Sequence, residues 1–484
     1  GPGGAGRPRT RAVSGSDAPG DDTGEDLRPL RTDLRPIVEA VRAAGAAAFV
    51  AVGDRFDDAL RYLTRFSGPD RPYALVVVPE EEAAASTADR EPEAATDAVA
   101  GRAVLCAPAL FREQANREFV ATARGPGAEK NDADDRDDDP FHDGVVREVR
   151  TESVGDHAGE RAAAVLAELV GEQDGNASEA ADRTVLTPAS VPHDAAVYLE
   201  RAGNEPSSTD AVATARARKT PAEVDRLRRV QRAAVVGMAR AEAVLAESEA
   251  VEPSDEGTGS DRPGGDRRPP LRWEGDPLTT ERLRREVNAV LAARGVRDAG
   301  NTVIGAGPSA ADLHYVGDDP IRPGETVLLD ISPRGPDGHY GDVTRTFVVD
   351  GDGGWERRAY VAVEAARDAA LAEVEPGVPA KTVHGEAAAE LAAYGFEPNA
   401  DEGESGFTHG TGHGVGVSLH EGPSLSGAGE LRPGHVVTIE PGVYDPAVGG
   451  VRLEDLILVT EDGYEILAEY PFDIAPDPAR SGSD

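Results

Sequence analysis

The sequence predicts an α+β protein built from two domains, and three observations carry that prediction. Short apolar runs alternate with helical patterns as far as about residue 209, a strongly marked helix start stands at Thr220, and strand-like runs beyond Gly300 carry buried-looking carboxylates. With 484 residues, two domains can each bury a core of their own.

Residues 1–29 are rich in Gly, Pro, Arg and Asp, hold little that could pack, and are expected to be unstructured. The first domain is expected over 30–209. AAAFVAV (46–52) and YALVVVP (73–79) read as strands, with a short helical pattern around DDALRYL (57–63) between them. RAVLCAP (102–108) gives a further strand, ERAAAVLAELV (160–170) a helix and RTVLTP (183–188) a strand. Alternation of this kind predicts an open α/β domain. Two acidic inserts, EEEAAASTADREPEAA (80–95) and NDADDRDDDPFHD (131–143), interrupt it as solvated loops. The aspartates of the second alternate, but it lacks the central Gly and closing Glu of a helix–loop–helix calcium site.

The second domain is expected over 210–475, with 476–484 as a tail. Thr220-Pro221-Ala222-Glu223 supplies a capping hydroxyl, a proline at the first helical position and a reciprocal Glu, so a helix should run from there to about 247. GTGSDRPGGDRRPP (257–270) marks a flexible insert within about 250–275, and TTERLRREVNAVLAARG (279–295) a second helix ending at Gly295.

The formal charge of −39 excludes nucleic acid and anionic membranes as expected partners. Lys130, Lys219 and Lys381 are the only lysines among 50 basic residues. Abundant acid, scarce lysine and few aromatics are the composition of a protein from a salt-loving organism, where salt screens self-repulsion. Cys106 is the single cysteine, so no internal disulfide and no cysteine metal cluster can form, which fits a reducing cytoplasm. No run of about 18 apolar residues offers a membrane span, and residues 1–30 lack the apolar core of a signal peptide.

FTHGTGHGVGVSLHEGP (407–423) places His409, His413 and His420 among five glycines. Histidines four apart share a helix face, but interior glycines each cost a helix roughly 0.5–1 kcal/mol, so a loop or bent strand is expected instead. Such a loop either lets imidazoles approach a metal or a proton in transit, or is a surface loop with incidental histidines. The rest of the chain bears on the choice.

ETVLLDIS (325–332) carries Asp330, and HYGDVTRTFVV (339–349) carries Asp342 after the turn signal Pro336-Asp337-Gly338. A hairpin would set the two carboxylates side by side. HVVTIEPGVY (435–444) carries Glu440, and VRLEDLILV (451–459) carries Glu454, which in a strand shares a face with Arg452 while Leu453 takes the other. One acid at a strand end is usually solvated. Four in apolar strand contexts cannot be buried together unless cations compensate. With one neutral histidine they carry a charge of −4, which two divalent ions neutralise. Carboxylate-rich sites favour Mn²⁺, with Co²⁺ or Zn²⁺ compatible.

Asp330, Asp342, His413, Glu440 and Glu454, in this order and context, resemble the five metal ligands of the pita-bread metallopeptidases, the family of methionine aminopeptidase, aminopeptidase P and prolidase. DVTRTF (342–347), HGTGHGVG (409–416), HEGP (420–423), TIEPGVY (438–444) and VRLED (451–455) carry the likeness, which covers roughly 210–470. The first domain, including RYLTRFSG (61–68), is similar to the creatinase/prolidase N-terminal domain. The resemblance therefore implies a pita-bread fold preceded by that α/β domain, two divalent ions, and the proline-specific branch.

It also implies roles. Asp342 and Glu454 would bridge two metals, Asp330 would hold one, and His413 and Glu440 the other. Glu440 would take a proton from the attacking water. His314, His409 and His420 would contact substrate, and Arg452 would orient the site. The remaining histidines, His339 and His435 among them, are expected on the surface or in packing.

Pro308, where relatives often have Asn, Gly410, where dipeptidases often have Arg, and His435, in place of a usual Met, are departures. The expected function is hydrolysis of the bond between an N-terminal residue and a following proline, by a homodimer. A creatinase-like amidinohydrolase, a catalytically silent binding protein on the same fold and a methionine aminopeptidase are the alternatives.

Overall fold

A computed structural model describes residues 27–80, 100–121, 143–152, 157–174, 183–251, 268–401 and 403–479. The expected unstructured segment 1–29, the acidic inserts, the insert within about 250–275 and the tail from 476 fall wholly or largely outside them.

Apolar runs in the first part become strands buried on both faces, because helices cover the sheet from each side. In chain order the elements are α1 (Arg35–Ala43), β1 (Ala48–Gly53), α2 (Asp58–Thr64), β2 (Tyr73–Pro79), β3 (Gly101–Pro108), α3 (Arg112–Ala115), β4 (Val145–Glu152), α4 (Ala158–Asp174), β5 (Arg183–Thr187), α5 (His193–Arg201), β6 (Asn204–Ser208) and α6 (Ala211–Ala217). They form one six-stranded sheet, ordered β4-β3-β2-β1-β5-β6. Its outer pairs are parallel, while β1–β2 and β2–β3 are antiparallel. Alternate residues face opposite layers, as a period of two requires. Phe49, Ala51, Leu75, Val77, Ala103 and Leu105 pack under α1, α2 and α6. Ala48, Val50, Val76, Val78 and Val104 pack under Leu166 and Leu169 of α4 and Leu199 of α5.

Thr220 then starts α7 (Pro221–Ala246) with the expected capping box: its hydroxyl accepts from Glu223 N–H, and Glu223 reaches back to the Thr220 backbone. The region expected to be flexible up to about 275 is ordered sooner. Leu271 is fully buried, and β7 (Arg272–Trp273) pairs with β8 (Asp276–Pro277), because Leu271 and Trp273 fill the core beside α7.

α8 (Thr280–Ala293), β9 (Thr302–Ala306), β10 (Thr326–Ile331) and β11 (Val343–Val348) follow. The three strands form an antiparallel sheet, β11-β10-β9, whose Ile304, Val327, Leu329 and Phe347 pack on Ala234 and Met238 of α7 and Val287 and Leu291 of α8. Burying each large side chain of this kind contributes roughly 1.5–3 kcal/mol. No helix or strand was expected in particular over residues 350–400, which hold α9 (Trp355–Ala372) and α10 (Ala380–Ala393). That helix pair covers a second set of strands: β12 (Val436–Ile439), β13 (Gly442–Asp445), β14 (Gly449–Arg452), β15 (Asp455–Thr460) and β16 (Gly463–Ile466). Among the described residues the second half thus holds two three-stranded antiparallel sheets, β11-β10-β9 backed by α7 and α8 and β12-β15-β16 backed by α9 and α10, together with the two-stranded pairs β13-β14 and β7-β8.

The strand-like runs at 435–444 and 451–459 are each divided between two strands. β12 pairs with β15 and β13 with β14, and the interruption falls at Glu440-Pro441 on one chain and Leu453-Glu454 on the other. Pro441 has no N–H to give a ladder, so pairing stops there. The Glu440 N–H goes to Thr411 O and the Glu454 N–H crosses to Thr344 O in β11.

Candidate metal centre

Carboxylates collect where these breaks face the β10–β11 hairpin. The register pairs Asp330 with Thr344 and Ile331 with Val343, so Asp342 lies one residue before β11, close to Asp330. The turn between them closes at Gly335–Gly338, with Gly338 at φ 93°. Ser332 Oγ contacts both acids, at 3.1 Å from Asp330 Oδ1 and 2.9 Å from Asp342 Oδ1. Glu454 comes in from the β14–β15 break, where Thr344 Oγ1 donates to its Oε2 at 2.7 Å. Oxygens of Asp330, Asp342 and Glu454 all lie within 4.8 Å of one another.

Glu440 and His413 complete the group from the other side. His413 Nε2 is 3.4 Å from Glu440 Oε1 and 3.9 Å from Asp342 Oδ2. Its Nδ1 lies 3.0 Å from Gly414 O, and since a carbonyl only accepts, Nδ1 carries the proton and Nε2 presents a lone pair to the acids. Thr438 Oγ1 fixes both partners, accepting from His413 N–H and donating to Glu440 Oε1 at 3.1 Å.

The glycines of this loop answer a constraint different from the one expected. Closeness to a metal was the anticipated reason. In the structure a Cβ on Gly412 would fall 2.0 Å from Thr438 O, and one on Gly414 2.3 Å from Gly422 O. The loop lies flat against β12 and against itself, and any side chain would lift it away.

Burial is the first reason that Asp342 and Glu454 are pushed well above the ordinary carboxylate range, and repulsion from the neighbouring acids is the second. Burial likewise raises Glu440 to about 7, Arg452 partly offsetting it. Arg452, 3% exposed, is the cation amid the four acids. Its Nη2 is 2.6 Å from Asp330 Oδ2, its Nη1 donates to Tyr444 Oη at 2.9 Å and its Nε to Thr344 Oγ1 at 3.3 Å. One guanidinium against four carboxylates leaves a net charge of about −3 when all ionise, and burying that requires further cations. Four hard oxygen donors with one neutral imidazole fit divalent ions.

Arg452 and Glu454 do turn to the same side, with Leu453 fully buried in the apolar cluster opposite. The strand alternation survives the break between them.

The three remaining histidines take different positions. His420 is exposed, its ring centroid 4.2 Å from that of His413. His314 is also exposed, on the loop where its backbone N–H bonds Asp312 Oδ1. His409 lies deeper. Its Nδ1 is 2.7 Å from Gly410 O and its Nε2 2.7 Å from Tyr444 Oη, so both nitrogens are engaged within the protein. Burial, helped by the Arg452 charge, lowers its pKa to about 3 and keeps it neutral. To contact substrate it would have to release Tyr444.

Besides the hydroxyls of Ser332, Thr344 and Thr438, two further residues around the site were not anticipated. Tyr444 links Arg452 to His409, and His384 of α10 sets Nδ1 2.8 Å from Thr411 Oγ1 behind the His loop. Tyr444 ends the quoted string TIEPGVY, the signal that could have singled it out; His384 sits in a helix remote in sequence and gave none. His339 and His435 are buried packing residues.

Residues 225–461 match metallopeptidase family M24. Among curated proteins, the chain is 33% identical over 181 residues to a probable dipeptidase PepE of Mycobacterium bovis, covering 37% of this chain and 46% of that protein. It is 38% identical over 177 residues to the Xaa-Pro dipeptidase of Pyrococcus horikoshii, covering 36% and 48%. The chain thus spans just under half the length of these curated relatives. Solved structures align along nearly the whole chain. Dipeptidase PepE from Mycobacterium ulcerans superposes with a TM-score of 0.64 at 25% identity, over 92% of this chain and 96% of that one. The prolidase from Pyrococcus horikoshii does so with a TM-score of 0.65 at 20% identity, over 91% and 99%, a likeness of fold. The α+β architecture is the expected pita-bread fold behind an N-terminal α/β unit.

Proposed function

We propose, from the metallopeptidase family M24 domain that residues 225–461 form, that the protein is a metal-dependent peptidase hydrolysing the bond between an N-terminal residue and a following proline. The observation that carries the reading is the convergence of four carboxylates and His413 Nε2 around a single guanidinium. The relative named as an Xaa-Pro dipeptidase supports the substrate class.

In this reading Asp330, Asp342, His413, Glu440 and Glu454 hold two divalent ions. When bound, such ions supply Lewis acidity toward the scissile carbonyl and make water acidic enough to attack near neutral pH. The chain does the rest. Glu440 receives the proton: Thr438 occupies its Oε1, which leaves Oε2 as the accepting atom. His420 and His314, on the open side, orient the substrate and donate to oxygen charge as it develops. Arg452 neutralises Asp330 and, through Tyr444, keeps the His409 ring in one orientation. Retention of all five metal-holding positions supports an enzyme over a silent binding protein or a creatinase-like amidinohydrolase.

Finer parts of the proposal are Mn²⁺ as the native ion, with Co²⁺ or Zn²⁺ as substitutes, a homodimer, and a cytoplasmic location. The carboxylate-rich donor set supports the first. Cys106 is buried and, as the single cysteine, forms no internal disulfide, and no helix among the described residues is long and apolar enough to cross a membrane.

The test is to strip the protein with a chelator and restore Mn²⁺, Co²⁺ or Zn²⁺ one at a time, following Xaa-Pro and Xaa-Ala dipeptides and longer peptides. Activity should vanish and return, with Xaa-Pro substrates well ahead. Full activity without metal, or equal rates on Xaa-Ala, would overturn the reading.

A further inference from the structure

The turn from Gly414 to Glu421 joins His413 to His420, and its ends close on each other. Gly414 N–H donates to Glu421 O at 2.9 Å and Glu421 N–H to Gly414 O at 2.7 Å. Glu421 directly follows His420, so whatever fixes the Glu421 backbone and side chain limits where the imidazole can point. Its side chain is 1% exposed and is held by charge: Lys219 Nζ, itself 2% exposed, donates to Oε2 at 2.9 Å, and Arg216 Nε lies 3.5 Å from Oε1. Arg216 contributes charge without a hydrogen bond, and Ser418 N–H adds a second hydrogen bond, to Oε1 at 3.0 Å. A Cβ on Gly416 would come within 2.5 Å of this carboxylate, so the turn is wrapped closely around it.

Arg216 belongs to α6 and Lys219 to the connection before α7, both N-terminal to the matched family residues. The same part of the chain grips the turn twice more. Val417 is buried in the apolar cluster of α2, with Leu60 and Leu63. Ser418 Oγ donates to Asp58 Oδ2 at 2.5 Å, and Asp58 also accepts from Arg334 Nη2 at 2.9 Å, in the loop between Asp330 and Asp342. Apolar packing alone would keep the turn in place. A carboxylate bound by two cations and an amide also fixes its direction, because a buried charge cannot swing from its partners without becoming uncompensated.

We propose that Glu421, held by Lys219 and Arg216, is a positioning residue that sets the direction of the His420 imidazole beside His413, so that the N-terminal region governs turnover at the C-terminal site. The inference rests on the reading of His420 as a substrate contact. Lys219→Met and Glu421→Gln break the pair from either side, the second with almost no change of shape, and Lys219→Arg restores the charge.

Each is made in the full chain and loaded with Mn²⁺, and three quantities are read: kcat and KM on an Xaa-Pro dipeptide, bound metal, and the rate at which diethyl pyrocarbonate modifies His420, located by mass spectrometry. Misplacing a substrate-facing group by about an ångström costs on the order of 100-fold, so kcat should fall roughly 10- to 100-fold in Lys219→Met and Glu421→Gln. KM and metal content should stay near those of the parent, the His420 modification rate should change, and Lys219→Arg should recover most of the turnover. Unchanged kcat and unchanged His420 modification in both variants would overturn the proposal. So would loss of metal in step with kcat, which marks general support of the fold. If the parent protein cleaves no Xaa-Pro substrate, the functional reading fails, and the His420 modification rates still decide whether the pair directs this ring. Should Lys219→Met fail to fold, Glu421→Gln carries the same decision.

Discussion

Replacing Glu440 by Gln should flatten the pH dependence of stability in the metal-free protein. Glu440 is only 16% exposed and, by burial among neighbouring acids, holds its proton up to about 7, against about 4.5 for an ordinary glutamic acid. A carboxyl that binds its proton more tightly folded than unfolded stabilises the fold fully below the unfolded value, and that stabilisation disappears as pH rises through the folded value. A gap of roughly 2.5 on the pH scale, at about 1.4 kcal/mol each, gives about 3 kcal/mol lost between pH 4.5 and 7. For a domain of this size about 1 kcal/mol moves the midpoint by 2–4 °C, so the parent should lose on the order of 6–12 °C more than Glu440→Gln across that range. His409 and His435, lowered by burial to about 3 and about 4, act in the opposite sense, since their contribution is lost as pH falls below about 6.5. The comparison is therefore between the two proteins, in which those histidines are common. Thermal unfolding followed by circular dichroism in chelator, at half-unit steps from pH 4.5 to 8, measures it. Excess divalent ion should recover the parent at pH 8, because binding favours the folded, ionised cluster. Identical pH profiles for parent and variant would refute the argument that Glu440 is buried among uncompensated acids.

His413→Ala should lose both bound metal, by elemental analysis, and turnover. His420→Ala should keep its metal while kcat falls by about 10²–10³, the usual loss for one donor to a developing oxyanion. His409→Ala should also keep its metal, because its nitrogens engage Gly410 and Tyr444. Metal lost from His420→Ala but retained by His413→Ala would mean that this loop is misassigned, and unchanged metal and rate in all three would restore the surface-loop alternative. The charge of −39 predicts a thermal midpoint that rises from low to molar KCl as self-repulsion is screened, and a flat or falling midpoint would contradict it.

Local pattern was enough for much of this molecule. Strands 48–53 and 73–79 are apolar throughout, and 103–107 within the third strand likewise, because both faces of their sheet are covered, and the α7 start is written in Thr220, Pro221 and Glu223 because a capping box is made within four residues. The Asp330–Asp342 pair was legible for the same reason: a turn signal between two apolar runs leaves little choice but a hairpin. What the sequence could not hold was any feature made by contacts between distant parts. The breaks that set Glu440 across from Glu454 depend on where Pro441 meets the opposing strand, and Gly412 is required by the Thr438 carbonyl, 26 positions away. Tyr444 became part of the site only when β13 carried it to both His409 and Arg452. Lys219 and Glu421 stand 202 residues apart, and neither belongs to a periodic pattern that names the other. Periodicity and capping are written along the chain because their partners lie within a few residues. The burial that shifts Glu440, and the ion pair that holds the turn before His420, exist only once two distant segments exclude water between them.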